Sequence, residues 1–328
     1  MMDTHAIRIH EHGDASVLRW ESIEVPPPGA GEAQIRQTAV GLNFIDVYHR
    51  TGLYPVGHLP SGIGLEGAGV VEAVGPDVED LQPGDRVAYA GGPLGAYAER
   101  RNLTADRLVR VPDAITDQQA AAMMLQGMTA EYLLRRTYPV QPGDTVLVHA
   151  AAGGVGLIAC QWASHLGATV IGTVGSDEKA ELARVHGCAH PIVYTREDFV
   201  ERVQEITGGA GVPVVYDSVG RDSFSGSLDC LRPRGLLVSF GQASGPVPPF
   251  DIGLLNQKGA LYVTRPSLMW YTKTREDLVA SAQALFGVVG SGAVRIEVNQ
   301  SFRLAEAAEA HRALESRQTT GSTVLLVG

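Results

Sequence analysis

Apolar and polar residues alternate over short stretches in the first third of the chain, and the pattern lengthens after that. The runs 33–40, 69–75 and 83–89 predict strands bounded by glycine and proline. Strands at such short spacing predict an antiparallel, barrel-like module. Asp117 is placed to cap a helix over 118–125, a segment rich in Ala and Met. After Pro142-Gly143-Asp144 the pattern becomes strand, helix, strand, helix. Strands are predicted over 145–149, 169–173, 192–194, 214–216, 236–240 and 261–264. Helices are predicted between them over 155–166, 178–186, 198–206 and 223–231. Gly167, Gly187 and Gly208-Gly209 follow the first three helices, where a left-handed stop belongs. Alternation of this kind implies right-handed crossovers and a parallel, doubly wound sheet, so the fold class is α/β. The tail predicts a helix over 275–287, a strand over 293–298, a helix over 305–315 and a strand over 322–327. No internal repeat or low-complexity tract interrupts the chain.

Composition narrows the class. A chain of 328 residues is long enough for two domains. Its 45% apolar and 19% charged residues suit a globular enzyme. The net charge of -10 argues against a nucleic-acid or membrane partner, because phosphate surfaces are bound by clustered cations. The densest basic spot, Leu133-Leu134-Arg135-Arg136, reads as a solvated helix end. Cys160, Cys188 and Cys230 are far apart and form no CxxC pair. That excludes a disulfide scaffold and a Cys-rich zinc module and fits a reducing compartment. The opening Met1-Met2-Asp3-Thr4-His5 has no basic stretch followed by an apolar one, and no run approaches the ~18 apolar residues of a membrane span. The expected location is the cytoplasm.

The most informative stretch is Val146 to Gly156, an apolar strand leading through small residues into a helix. Backbone amides at such a helix start can meet a pyrophosphate only where bulky side chains are missing. Gly153, Gly154 and Val155 open the helix, and Gly156 permits tight packing on the strand. Ala151 replaces the first glycine of G-x-G-x-x-G, so the context of several βα units carries the reading rather than the bare pattern. The bland alternative is a tight turn without a ligand. NAD enzymes place an acid at the tip of the second strand to hold the ribose 2′-hydroxyl. Here the tip reads Thr173-Val174-Gly175-Ser176. Gly175 and Ser176 leave room for a 2′-phosphate and Lys179 offers charge, so NADP(H) is expected over NAD(H). Asp177 is placed to cap the next helix. Lys179 also reads as a solvated helix lysine, and Tyr194 either lies beside the adenine and bonds the phosphate or is a half-buried strand tyrosine.

The runs Gly41–Tyr48, Gly64–Gly69 and Gly84–Val87, with Ala150–Gly156, Val215–Gly220 and Val263–Ser267, occur in order over essentially the whole chain. Together they resemble the zinc-independent NADPH:quinone oxidoreductase (zeta-crystallin-like) family of the medium-chain dehydrogenase/reductases. The resemblance implies a GroES-like catalytic domain from both ends of the chain (1–126 and 266–328) and a central Rossmann NADP(H)-binding domain (127–265). Zinc-dependent relatives carry Cys where this chain has Asn43 and His where it has Leu65; of the Gly-His-Glu element Glu66 survives, and no Cys lies between Ala88 and Asn102. A catalytic zinc needs three protein ligands, so no metal is expected. The resemblance implies Asn43 and Tyr48 as donors to a developing oxyanion, with Asn43 also facing the cofactor, and Tyr54 as a wall for an aromatic substrate. Asn43 also reads as a turn or cap residue. Asp46 is expected to tie down the loop. Arg265 either contacts cofactor or substrate or pairs with a neighbouring carboxylate. Ser218, Phe240 and Gly241 end parallel strands and are expected near the nicotinamide. Gln126 stands where close relatives carry Lys. His149 reads as the end of a buried strand.

The expected activity is reduction of a small-molecule quinone by NADPH. Two rivals fit the same residues: an NADPH-dependent reductase of α,β-unsaturated ketones or aldehydes on the same fold, and a crystallin-like NADPH-binding protein with little turnover. A homodimer is expected from an exposed last strand, 261–264, pairing with its twin across a two-fold axis.

Overall fold

The computed structural model describes residues 2–328, with side chains from Thr4 onward. Met1, where the reading of the amino terminus begins, lies outside the described residues. The chain divides into two compact units. One contains Met1–Met128, Thr272–Phe286 and Ile296–Gly328; the other contains Thr129–Tyr271 and Gly287–Arg295.

The first unit begins with strands β1 (Met2–Ile9), β2 (Arg19–Val25), β3 (Glu32–Leu42), β4 (Ser61–Gly62), β5 (Glu66–Val74), β6 (Arg86–Ala90), β7 (Arg100–Thr104) and β8 (Val109–Arg110). Helix α1 (Phe44–Thr51) follows β3, and α2 (Asp117–Tyr132) follows β8. Strand β3 is almost continuously buried and pairs antiparallel with β5 and β7. Buried apolar side chains, including Ile35, Val40, Val71 and Tyr97, form one core. Asp117 does not cap α2. Thr116 and Gln119 exchange backbone and side-chain bonds at that start, and Asp117, now inside the helix, accepts from Arg86 at 2.6 Å and Thr38 at 2.8 Å. The carboxylate finds a guanidinium and so does not turn back to its own backbone. At the far end of α2, Leu133 and Leu134 are buried in one π turn over Leu133–Thr137. That spot is therefore half core; its Arg136 pairs with Glu131 at 2.9 Å.

The second unit holds β9 (Thr145–Val148), β10 (Thr169–Val174), β11 (His190–Val193), β12 (Val212–Asp217), β13 (Leu231–Ser239) and β14 (Tyr262–Thr264). Helices α3 (Gly154–His165), α4 (Asp177–Val185), α5 (Phe199–Ile206), α6 (Phe224–Asp229), α7 (Gly253–Gln257) and α8 (Leu268–Tyr271) connect or follow them. Among the described residues the strands form one parallel sheet in the order β11-β10-β9-β12-β13-β14. This is the doubly wound order of dinucleotide-binding sheets. Leu147, Ile171, Val215 and Leu237, one from each of four neighbouring strands, anchor the core against Val203 and Leu228. The chain closes with α9 (Arg275–Gly290), β15 (Val298–Arg303), α10 (Ala307–Glu315) and β16 (Ser322–Leu326). The strand expected over 293–298 starts only at Val298. Val294 and Ile296 are buried as alternation requires, but Arg295 exchanges both backbone bonds with the Gln161 side chain (2.9 and 3.1 Å), so a side chain replaces the ladder. Strand β16 lies antiparallel to β3, with Thr323 opposite Leu42, which brings the carboxyl-terminal strand beside the loop that starts α1.

A buried polar chain ties together three strand ends of the parallel sheet. Asp217 Oδ1 accepts from the Val219 and Gly220 N–H groups at 2.8 and 3.0 Å, and both its oxygens take the Ser223 hydroxyl. Ser227 Oγ donates to Asp217 Oδ2 at 2.8 Å. Having spent its hydrogen, Ser227 must accept from His149 Nε2 at 3.0 Å, which leaves His149 Nδ1 to accept from Thr173 Oγ1 at 2.8 Å. Burial also holds the His149 pKa below its ordinary value, with the Asp217 charge opposing, so the imidazole is neutral. His149 precedes the phosphate loop, Thr173 precedes Gly175, and Asp217 precedes Ser218. Ser227→Ala should strand His149 Nε2–H and one Asp217 contact at a cost of about 1–3 kcal/mol. The check is a lowered urea midpoint; an unchanged midpoint would remove this chain from the list of supports.

Candidate functional site

In the first unit the loop after β3 delivers Asn43 as the residue preceding α1. Its backbone N–H donates to Asp46 Oδ2 at 2.9 Å, and Tyr97 Oη donates to the same oxygen at 3.0 Å. Asp46 thus ties down the loop. Behind Tyr97 the direction of the bonds is settled by Arg50, which can only donate. Its Nη1 donates to His311 Nδ1 at 3.0 Å, so Nε2 carries the ring hydrogen and donates to Tyr97 at 3.1 Å. Burial and Arg50 lower the His311 pKa to about 3. Arg50 is itself held by both oxygens of Glu315, at 2.9 and 2.7 Å.

The Asn43 amide is fixed from two sides. Nδ2 donates to Glu66 Oε2 at 2.7 Å, and Oδ1 accepts from Gln126 Nε2 at 3.1 Å. Gln126 is oriented in turn by the Ser322 hydroxyl, 2.7 Å from its Oε1. Glu66 Oε1 accepts the Leu125 N–H of α2 at 2.7 Å. The packing is close enough that a Cβ on Gly41 would stand 2.3 Å from both Glu66 Oε2 and the Ala121 carbonyl oxygen, so only glycine fits there. Burial pushes the Glu66 pKa up to about 8 and that of Asp46 up to about 7, against the hydrogen bonds they accept. Tyr48 and Tyr54 meet edge to face with ring centres 5.1 Å apart, and Phe44 and His49 join the cluster at 6.1 and 5.8 Å. The structure therefore brings Asn43, Tyr48 and Tyr54 together on one loop and helix.

The second unit gathers the other predicted residues in two groups. Helix α3 starts at Gly154 after Gly153, and no side chain caps it. A Cβ on Gly156 would lie 2.2 Å from the Ala150 oxygen, which explains why that helix can seat so close to its loop. Gly175 and Ser176 end β10; the Ser176 hydroxyl caps α4 by accepting from Lys179 N at 3.3 Å. Asp177 does not cap. It is the first residue of α4 and pairs with Arg196, two bonds of 2.6 Å each. Tyr194 follows β11 and is exposed, not half-buried, with its hydroxyl 3.0 Å from where a Gly175 Cβ would be. The other group lies at the ends of β12 and β13. Phe240 N donates to Asp217 O at 2.8 Å, and a Gly241 Cβ would meet Ser218 O at 2.6 Å. Arg265 Nη1 donates to the Ser239 and Gly241 carbonyls, both at 2.9 Å, so that guanidinium holds the β13 exit in place. Ser322 and Arg196 carried no expectation from the sequence, and Gln126, named above for its residue type, was given no part in holding Asn43. Ser322 is 196 residues from Gln126 and carries no local signal, whereas an arginine just past the third strand was visible.

Two family models match the chain. One, described as an alcohol dehydrogenase GroES-like domain, covers residues 29–113; the other, described as a zinc-binding dehydrogenase, covers 154–283. A quinone oxidoreductase from Pseudomonas aeruginosa is 57% identical over 98% of both chains. The chain belongs to the quinone oxidoreductase family of medium-chain dehydrogenase/reductases. Its fold is the mixed α/β one of that family, a GroES-like unit and a Rossmann unit. A solved quinone oxidoreductase from Escherichia coli, complexed with NADPH, superposes with a TM-score of 0.97 at 51% identity, covering 98% of this chain and 99% of that one. A 2-haloacrylate reductase from Burkholderia sp. is 49% identical over 97% of both chains.

The zinc in one matched description finds no fitting donor set in this chain. Of Asn43, Leu65 and Glu66, Glu66 alone is a strong ligand type, and its two oxygens already accept the Asn43 and Leu125 N–H groups. Among the described residues no group of three or more His, Cys, Asp and Glu could hold a metal.

The buried acids make a pH prediction. A carboxyl that holds its proton more tightly when folded stabilises the fold while protonated. That contribution is complete below the ordinary value near 4.5 for Glu66 and is lost as pH rises through about 8; for Asp46 the limits are 3.8 and about 7. The unfolding midpoint should therefore fall from pH 5 to pH 9, and Glu66→Gln should flatten the part of that fall above pH 7. Parallel curves for the two proteins would show that Glu66 is ionised throughout.

Proposed function

We propose that this chain reduces quinones with NADPH and without zinc, in the cytoplasm. The observation that carries the reading is near-full-length identity of 57% to a quinone oxidoreductase. The residues fit the cofactor. Helix α3 has no side-chain cap, so its first N–H groups need an acceptor, and a pyrophosphate is one. Gly153, Gly154, Val155 and Gly156 would hold it. Gly175, Ser176, Lys179 and Tyr194 would take the 2′-phosphate, and Ser218, Phe240 and Gly241, steadied by Arg265, the nicotinamide half. NADPH supplies the hydride when bound.

We propose residues 127–265 as the cofactor domain and residues 1–126 and 266–328 as the catalytic domain, which supplies the rest. Glu66 uses one N–H of the Asn43 amide, which leaves a second to donate to an acceptor oxygen or to the cofactor. Tyr48 is a second donor to that oxygen. Tyr54 flanks the acceptor through its edge-to-face contact with Tyr48. The free, buried Cys160, Cys188 and Cys230 suit a reducing compartment.

Identity of 49% to a 2-haloacrylate reductase favours one second reading, reduction of activated carbon–carbon double bonds by the same residues. The test is anaerobic oxidation of NADPH and NADH by 1,4-benzoquinone and by an enal, on EDTA-treated enzyme. Fast quinone turnover with NADPH supports the proposal. Tight NADPH binding with enal turnover alone would replace it by the second reading.

We further propose a homodimer through β14, whose Tyr262 is 61% exposed on the last strand of the parallel sheet. Light scattering should give twice the 34.8 kDa chain mass, and Tyr262→Pro should shift it toward the monomer. A monomeric mass for the unaltered chain would end this proposal.

A further inference from the structure

Two turns of the second unit meet rung by rung. Gly175, Ser176 and Asp177 leave β10, and Tyr194, Thr195 and Arg196 leave β11. Tyr194 N donates to Val174 O at 3.1 Å, and Thr195 Oγ1 donates to Gly175 O at 3.3 Å. The next rung is ionic: Arg196 Nη1 meets Asp177 Oδ2 and Nη2 meets Oδ1, both at 2.6 Å. The pair thus sits directly beyond the residues proposed above to take the 2′-phosphate.

Asp177 is an acid in the wrong place for NADPH. A carboxylate just past the second strand is the device by which NAD enzymes accept from the ribose 2′-hydroxyl, and its charge repels a phosphate there. Asp177 lies two residues beyond Gly175 with its side chain 66% exposed, so burial does not silence it. Glu178 adds a second acid in the same turn, and its carboxylate is drawn to the Ser176 hydroxyl. Arg196 occupies both oxygens of Asp177 in the planar, two-pronged geometry that lysine cannot supply. Its hydrogen bonds hold the Asp177 carboxyl below the usual carboxylate range. An exposed pair of this kind adds little to stability, so stability does not account for it.

We propose that Arg196 is a cofactor-specificity residue, which masks Asp177 and so keeps the pocket open to a 2′-phosphate. The inference rests on the NADPH reading above. Without the guanidinium, Asp177 would face the phosphate as a bare charge and would be free to accept from a 2′-hydroxyl instead.

The test is calorimetric binding of NADPH and NADH to the full chain, with no acceptor present. Arg196→Ala should weaken NADPH roughly tenfold and leave NADH within about twofold. Adding Asp177→Asn to that variant should restore most of the loss, and 0.5 M salt should shrink it. Equal effects on both cofactors, or none, would overturn the proposal. So would failure of Asp177→Asn to rescue, since Arg196 would then act on the phosphate itself. A preference of the unaltered protein for NADH defeats the NADPH reading and is seen before any variant is made. Far-UV dichroism of the variants, expected to be unchanged for an exposed pair, separates lost binding from lost folding.

Discussion

Every helix begins with N–H groups that have no partner inside it, and the second unit is organised by how each start is satisfied. Ser176 closes the start of α4 and Asp198 that of α5, in the latter case with bonds of 2.8 and 3.2 Å. At the exit of β12, Asp217 takes the Val219 and Gly220 amides. Helix α3 is treated differently. Gly153 brings no side-chain acceptor, and Gly156 draws the helix down onto its own loop. An anion is therefore most welcome where the chain withholds its own oxygen. The His149 imidazole is neutral and adds no cation that would pull an anion elsewhere, while the polar chain it belongs to locks the three strand ends.

The same constraint has the opposite outcome in the first unit. There the chain buries a carboxyl and points donors at it. Glu66 accepts from Leu125 and Asn43, and its raised pKa leaves it largely protonated near neutrality. That matters for a donor site. An ionised Glu66 beside Asn43 would oppose negative charge developing on a substrate oxygen, whereas a neutral one orients the amide without that penalty. Gln126 completes the clamp. Its amide both accepts from Ser322 and donates to Asn43.

Much of the fold was legible because its signals are local. Glycines after helices, alternation in β5 and the small-residue loop at 150–156 each act within a few residues. The errors fall where a distant side chain overrode a local preference. Asp117 reads as a cap until Arg86 claims it. Residues 293–297 read as a strand until Gln161 takes the place of the ladder. Asp177 also reads as a cap, but Ser176 stands one position better placed and Arg196 reaches across from the next strand. In the site, the family resemblance implied donors at 43 and 48 and a wall at 54. What held them was illegible, since Glu66, Gln126 and Ser322 converge only through the pairing of β3 with β5 and β16.

In the proposed function, reduction of a quinone and of an activated double bond both leave electrons on an oxygen, so both would call on the same donors, the Asn43 carboxamide and the Tyr48 phenol. Those donors rest on buried supports whose alteration would cost stability as well as rate. The acceptor's shape would be met by Phe44, His49 and Tyr54 on α1 and the turn after it, all three partly exposed. Substitutions there change the wall without disturbing the clamp on Asn43. Relatives of both kinds stand at near-equal identity to this chain, 51% for a quinone oxidoreductase and 49% for the haloacrylate reductase.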